Sequence, residues 1–218
     1  WLKKHYPDVF TAAILNSQPM GFYSARSLID DARRHGVSVD AVDVQHSDWD
    51  NTLAIMESGT WQIRVGLRQI RGLPKGAGHM VEQERKAHGP FAGLGDLQKR
   101  TQIDRTAMGT LAASGALRSL IETRRQAIWA AKGLYDLPLF RGLERSEDVE
   151  LPTASVVDKM KADYQSMGFS LQHNPIGLAR PHLQQQGFVC ASDLHNRTNG
   201  MKVHVAGVVA HRQRPGTA

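Results

Sequence analysis

A glycine-punctuated run, IRGLPKGAGHMV (Ile70 to Val81), constrains this chain more than any other stretch. Gly72, Gly76 and Gly78 within it permit positive φ and let a second molecule approach the main chain. A related but less specific unit, LAASGALRSL (Leu111 to Leu120), follows. Short helices joined by such hairpins present N–H groups and helix N-termini to an anion, which suits a phosphate. A glycine-rich αα-turn in a structural bundle fits the same residues. Gly115, set between alanines, equally fits close helix packing.

The surrounding charge selects among anions. Residues 60–132 hold 13 Lys and Arg against 5 Asp and Glu, whereas the rest of the chain holds 14 against 16. The formal net charge of +6 is therefore gathered in one segment. A localised charge implies a face with a task, and flanking cations favour a nucleic-acid backbone over a free phosphate. The region reads as a helix-hairpin-helix pair suited to DNA held without sequence preference. Arg64, Arg68, Arg71, Gly72, Lys75, Gly76 and Gly78 are its candidate DNA-binding residues, with Arg85 and Lys86 adding charge. Arg118, Arg124 and Arg125 suit a solvated face. Pro74 stands where the second hairpin glycine is usual, and it removes one N–H.

Other features exclude classes. At 218 residues the chain has room for one large or two small domains. Its single cysteine, Cys190, rules out an internal disulfide and a Cys-rich zinc site, and fits a reducing, cytoplasmic compartment. No stretch approaches the ~20 apolar residues of a membrane-spanning helix. HExxH, GxSxG and phosphate-loop patterns are absent, so the stretch contains no complete active site and no catalytic residue is assigned. Asp40, Asp43, Asp48 and Asp50 invite a metal reading, but the run lacks the further ligands and glycine of a calcium loop. A turn at a strand end is the better account, and no bound metal is expected.

The fold class expected is mainly α with small β elements. Val9, Phe10, Ala13 and Ile14 share one face of a first helix. A second helix runs from a Ser24 cap to His35, with Gly36 as its stop. VSVDAVDV (Val37 to Val44) and WQIRVGL (Trp61 to Leu67) alternate as half-buried strands do. The prolines, glycines and acids of residues 133–152 read as a linker. Helices are expected at about Ser155 to Met167 and Arg180 to Gln186, then a strand through Val203, Val205 and Val208. The expected boundaries are thus 1–59, 60–132, 133–152, 153–199 and 200–218. The chain starts in mid-pattern at Trp1 and closes on an unfinished strand, as a piece of a longer protein would.

LNSQPMGFYS (Leu15 to Ser24), DARRHGVSVDAVDVQHSDWD (Asp31 to Asp50) and GLRQIRGL (Gly66 to Leu73) resemble the bacterial C-family DNA polymerases, which include the polymerase III alpha subunit. NSQPMGFY and the closing VAGVVAHRQRPGTA are most similar to the error-prone, damage-inducible branch. The resemblance covers nearly the whole chain in the family's order. It implies the end of a fingers domain, a tandem helix-hairpin-helix domain, a linker and the start of an OB-fold. It also implies template-directed DNA synthesis in translesion repair, by two-metal transfer with Mg²⁺ as the parent enzyme's cofactor. The family's catalytic aspartates belong to a palm domain, and none of the acids here matches them. By the same resemblance, Asn16, Ser17, Gln18, Tyr23, His46 and Ser47 lie toward the nucleotide, and the hairpins hold primer-template duplex. Asp136, Leu137, Pro138, Leu139 and Phe140 are similar to sliding-clamp-binding peptides, without the usual upstream Gln. A Y-family-like accessory protein is the other partner implied. A non-enzymatic helix-hairpin-helix adaptor of a repair complex is the alternative that the residues alone leave open.

Overall fold

The computed structural model describes residues 1–20, 23–56, 59–134 and 151–209. It is mainly helical with one small sheet, as the periodicities predict. In chain order the elements are α1 (Leu2–His5), α2 (Pro7–Asn16), α3 (Ala25–Arg34), β1 (Ser38–Asp40), β2 (Thr52–Ile55) and β3 (Trp61–Arg64). A 3-10 turn (Leu67–Gln69) leads into α4 (Lys75–His88), α5 (Leu94–Thr101), α6 (Arg105–Ser114) and α7 (Arg124–Gly133). Then come α8 (Val156–Ser166), α9 (Pro175–Gln185) and a 3-10 turn at Ala191–Asn196. The chain divides into two compact units, Trp1–Leu171 and Gln172–Ala218.

Local chemistry sets the helix starts. Ser24, Asp104 and Thr123 cap α3, α6 and α7 by accepting from the amides of Ser27, Ala107 and Gln126. Ser155 and Asp158 form a reciprocal capping box on α8. Each such cap contributes about 0.5–2 kcal/mol, which short helices need because their nuclei are costly.

In the first unit the sheet order is β1-β3-β2, with β1 parallel and β2 antiparallel to the central β3. Ile63 on β3 stands between Val39 and Leu53 in register, fully buried over Ala32 and Val37. This pairing crosses the boundary expected at 59/60, because β3 cannot satisfy its backbone without β1 and β2. A continuous core runs from Leu15 and Ile29 through Val65, Leu67 and Val81 to Leu97, Met108, Leu111 and Leu117.

Several local expectations change. Only Ser38–Asp40 of the Val37–Val44 run is strand. Beyond it the chain turns inward, and the Val44 amide donates to the Ala116 carbonyl (2.8 Å) in place of a ladder partner. The first long helix, α2, buries Thr11, Ala12 and Leu15, while Val9 is exposed. It docks on α3 and the sheet through a face rotated from the expected one. The helix α8, expected in a separate connector, packs on α6, and Met167 and Phe169 just beyond it enter the first unit's core.

In the second unit, α9 begins at the Asn174 cap with Pro175 at its first position, earlier than expected, and carries Pro181 inside. Of the strand expected through Val203 to Val208, the described residues show one parallel bridge, Phe188 with His204. The Asp136–Phe140 peptide lies outside the described residues.

Candidate nucleic-acid interface

The acidic run before the hairpin neutralises much of the basic segment after it. Asp40 pairs with Arg64 (2.5 Å), Asp50 with Arg68 (2.6 Å), and Asp48 with Lys86 (2.8 Å) and with Arg85. Buried Asp43 accepts from Ser119 Oγ (2.6 Å) and the Gln45 amide (2.8 Å), and faces Arg118 Nε at 3.4 Å. The Asp48 bond raises the Lys86 pKa above its ordinary value. Burial alone would raise the Glu82 carboxyl, but bonds from Lys86 and the Trp49 amide outweigh it and hold it below its usual range. Among the described residues, no group of three or more His, Cys, Asp or Glu is placed to hold a metal ion.

Arg64 and Arg68, expected on phosphate, therefore have internal work. Arg64 also donates to the Ala41 carbonyl (3.1 Å), and Arg68 to the carbonyls of Asn16 (2.6 Å) and Gln18 (2.9 Å). The Arg71 amide donates to the Ser166 carbonyl (2.8 Å) and its guanidinium to that of Tyr164 (3.3 Å), fastening the hairpin to α8. Gly76 and Gly78 lie inside α4, and only Gly72 of the three glycines takes positive φ (78°). Gly78 is buried under the Trp49 indole. Arg64 and Arg68 thus spend hydrogen bonds inside the fold, and Gly78 packs there.

What the hairpin leaves open is one corner. Gly72, Lys75 and Gly76 are exposed, and a Cβ on either glycine would meet nothing within 4 Å. Pro74 is the N-cap residue of α4, so its missing N–H leaves the donors of Lys75, Gly76 and Ala77 in place. Among the described residues, no side chain caps this helix start and no acid occupies its first turn. Its partial positive charge lies at exposed residues, Lys75 among them.

The second glycine unit is a packing device. Gly115 ends α6 at φ 80°, and the Arg124 guanidinium lies 2.9 Å from where its Cβ would stand. Arg124 donates to the Ser114 carbonyl (3.2 Å) and pairs with Asp163 on α8. Arg125 reaches the Pro152 carbonyl (2.6 Å) and Asp158 (3.5 Å).

Of the residues expected toward the nucleotide, Asn16, Ser17, Gln18 and Tyr23 come together in one segment. Asn16 Oδ1 accepts from the Asn51 amide (2.8 Å) and side chain (2.7 Å), while its Nδ2 donates to the Asn51 carbonyl (2.8 Å). Gln18 Nε2 donates to the Tyr23 carbonyl (2.8 Å), and Ser17 Oγ to that of Ala13 (2.9 Å). Tyr23 and His46 are exposed. Ser47 is fully buried, donating to the Val65 carbonyl (2.7 Å) and accepting from the Asp43 amide (3.0 Å) in an interior turn. Reading the sequence for binding groups missed Arg85 and Asn51 as organising residues. The available signal was the acidic block lying directly ahead of the basic one.

A helix-hairpin-helix motif model matches residues 36–127, spanning the sheet, α4 to α6 and the first turn of α7. All of the chain is 41% identical over 234 residues to the error-prone DNA polymerase of Xanthomonas campestris pv. campestris, covering 21% of that protein. It is 41% identical over 220 residues to the same-named protein of Alkalilimnicola ehrlichii and 42% identical over 220 residues to that of Dechloromonas aromatica, in each case covering 21% of the relative. The chain spans about one fifth of the length of these relatives. Among the described residues no helix is long and apolar enough to cross a membrane. The whole-length match, the helix-hairpin-helix motif and the mainly helical fold agree: over its full length this chain is similar to a one-fifth portion of the error-prone DNA polymerases.

Proposed function

We propose that this chain is part of an error-prone DNA-directed DNA polymerase acting in translesion synthesis and damage-induced mutagenesis, and that it holds primer-template duplex through backbone phosphates. The observation that carries the reading is the corner of Gly72, Lys75 and Gly76. It is exposed and uncapped, while the neighbouring arginines are spent on the fold. A helix N-terminus with an adjacent ammonium suits a phosphate oxygen, and contacts of that kind carry no base sequence. Sequence-neutral grip is what template-directed synthesis needs. The relatives' names favour a polymerase over an adaptor.

In this reading Mg²⁺ and the transfer step belong to other residues of the whole protein. The aspartates here are tied to arginine and lysine and do not fit a metal. The segment of Asn16 to Gln18 with Tyr23 lies toward the incoming nucleotide, and the enzyme works in the cytoplasm. Asp136 to Phe140 engages a sliding clamp or a Y-family-like accessory protein.

Fluorescence anisotropy on labelled primer-template DNA across a salt series tests the duplex grip. Lys75→Ala should weaken binding to all sequences alike and lower the salt slope by about 1. Unchanged affinity and slope in Lys75→Ala and Gly76→Ala would overturn the assignment.

A further inference from the structure

The outward face of α7 carries an aromatic residue that neither the core nor the corner at Gly72 uses. Ala127 and Ala131 turn inward and are buried, whereas Trp129 is 57% exposed. Arg125, Ile128, Trp129 and Lys132 follow one another at helical spacing, so they form one stripe. With Leu151 they line a shallow apolar recess. The recess has a built wall: Arg125 donates to the Pro152 carbonyl (2.6 Å) and thereby holds Leu151 beside the helix. Exposing an indole of this size to water is costly, and a rim of cations around an apolar floor has a specific complement. The complement is a flat, apolar ring joined to an anion.

We infer that this recess takes an unpaired base of a single-stranded nucleic acid, stacked on Trp129, with its phosphate at Lys132. Resting on the DNA reading above, the inference assigns the corner at Gly72 to duplex and the α7 face to unpaired template. Among the described residues, those lining the recess are apolar or cationic, which suits a nucleotide better than an acidic or purely apolar peptide. Arg125 contributes chiefly by holding the wall, since Asp158 at 3.5 Å offsets its charge. Lys132 is exposed and supplies the phosphate contact. Stacking of this kind tolerates any base, because every base has a π-face.

The test uses the 218-residue chain with labelled oligothymidylate and, separately, labelled blunt duplex. Trp129→Ala should lower affinity for oligothymidylate roughly 5- to 100-fold, and Trp129→Phe should lose less. Lys132→Ala should reduce the single-strand salt slope by about 0.7. Blunt-duplex affinity should be unchanged in all three, and the exposed position leaves the far-ultraviolet spectrum intact. Oligothymidylate binding that is absent, or the same in Trp129→Ala as in the wild type, overturns the inference even where duplex still binds. Trp129-dependent oligothymidylate binding without duplex binding would sustain it and remove the duplex assignment. Self-association that disappears in Trp129→Ala while oligothymidylate fails to compete would make the recess a contact between chains, which also overturns it.

Discussion

The indole of Trp49 rests on the backbone of Gly78: a Cβ at Gly78 would stand 2.3 Å from Trp49 Cε3. The same tryptophan donates its amide to Glu82 Oε2 (2.9 Å), one turn further along α4. Trp49 thus joins the acidic run to the hairpin helix by packing and by a hydrogen bond together.

The two glycines of α4 should respond in opposite ways. Gly78→Ala forces the Trp49 ring away and should cost about 1–3 kcal/mol. Gly76→Ala meets open space inside a helix and should stabilise by up to about 1 kcal/mol. Urea unfolding followed by circular dichroism separates them, and equal effects would contradict the packing described.

Arg68 binds two carbonyls and one carboxylate that no single lysine ammonium can span. Arg68→Ala should cost about 1–3 kcal/mol by leaving those acceptors without donors, and Arg68→Lys should recover only part of it. Amide exchange read by mass spectrometry should rise in the Asn16 to Gln18 segment. Protection equal to wild type would show that Arg68 does not hold that loop.

Arg71 and Lys75 separate structure from binding. Arg71→Ala removes the side-chain bond to Tyr164 and should lower thermal stability by loosening α8. Lys75→Ala, at an exposed position, should stay within about 0.5 kcal/mol of wild type. A drop in melting temperature for Lys75→Ala comparable to that for Arg71→Ala would refute the division.

Stability should fall on both sides of neutrality through one cluster. Glu82 titrates below its ordinary 4.5 when folded, so its contribution is present above that value and is lost as pH falls through the folded pKa. Lys86 titrates above its ordinary 10.5, so its contribution is complete below that value and is lost as pH rises through the folded pKa. Glu82→Gln should flatten the acid limb of a stability-against-pH curve. An acid limb unchanged in that variant would exclude Glu82 as its source.

The helix starts at Ser24 and Ser155 were legible because caps act within four residues, and local chemistry needs no tertiary context. The face of α2 was not legible. Its apolar residues surround more than one side, so the sheet and α3 chose among them. The strand reading of Val37 to Val44 failed past Asp40 for a similar reason: alternation is shared by ladders and by chains that bury every second residue against something else.

The candidate site divides along the same line. By itself the sequence determined the glycine positions, the basic segment, the mainly helical class and the likeness to the error-prone polymerases, because these are properties of residue type and order. Only the tertiary structure decided which cations face water. Coulomb attraction between Asp40, Asp43, Asp48, Asp50 and the arginines after them acts through space, and folding brings those charges within hydrogen-bonding reach. A count of charges along the chain cannot contain that pairing, and it is the pairing that leaves Lys75 exposed beside Gly72 and Gly76 at the uncapped start of α4.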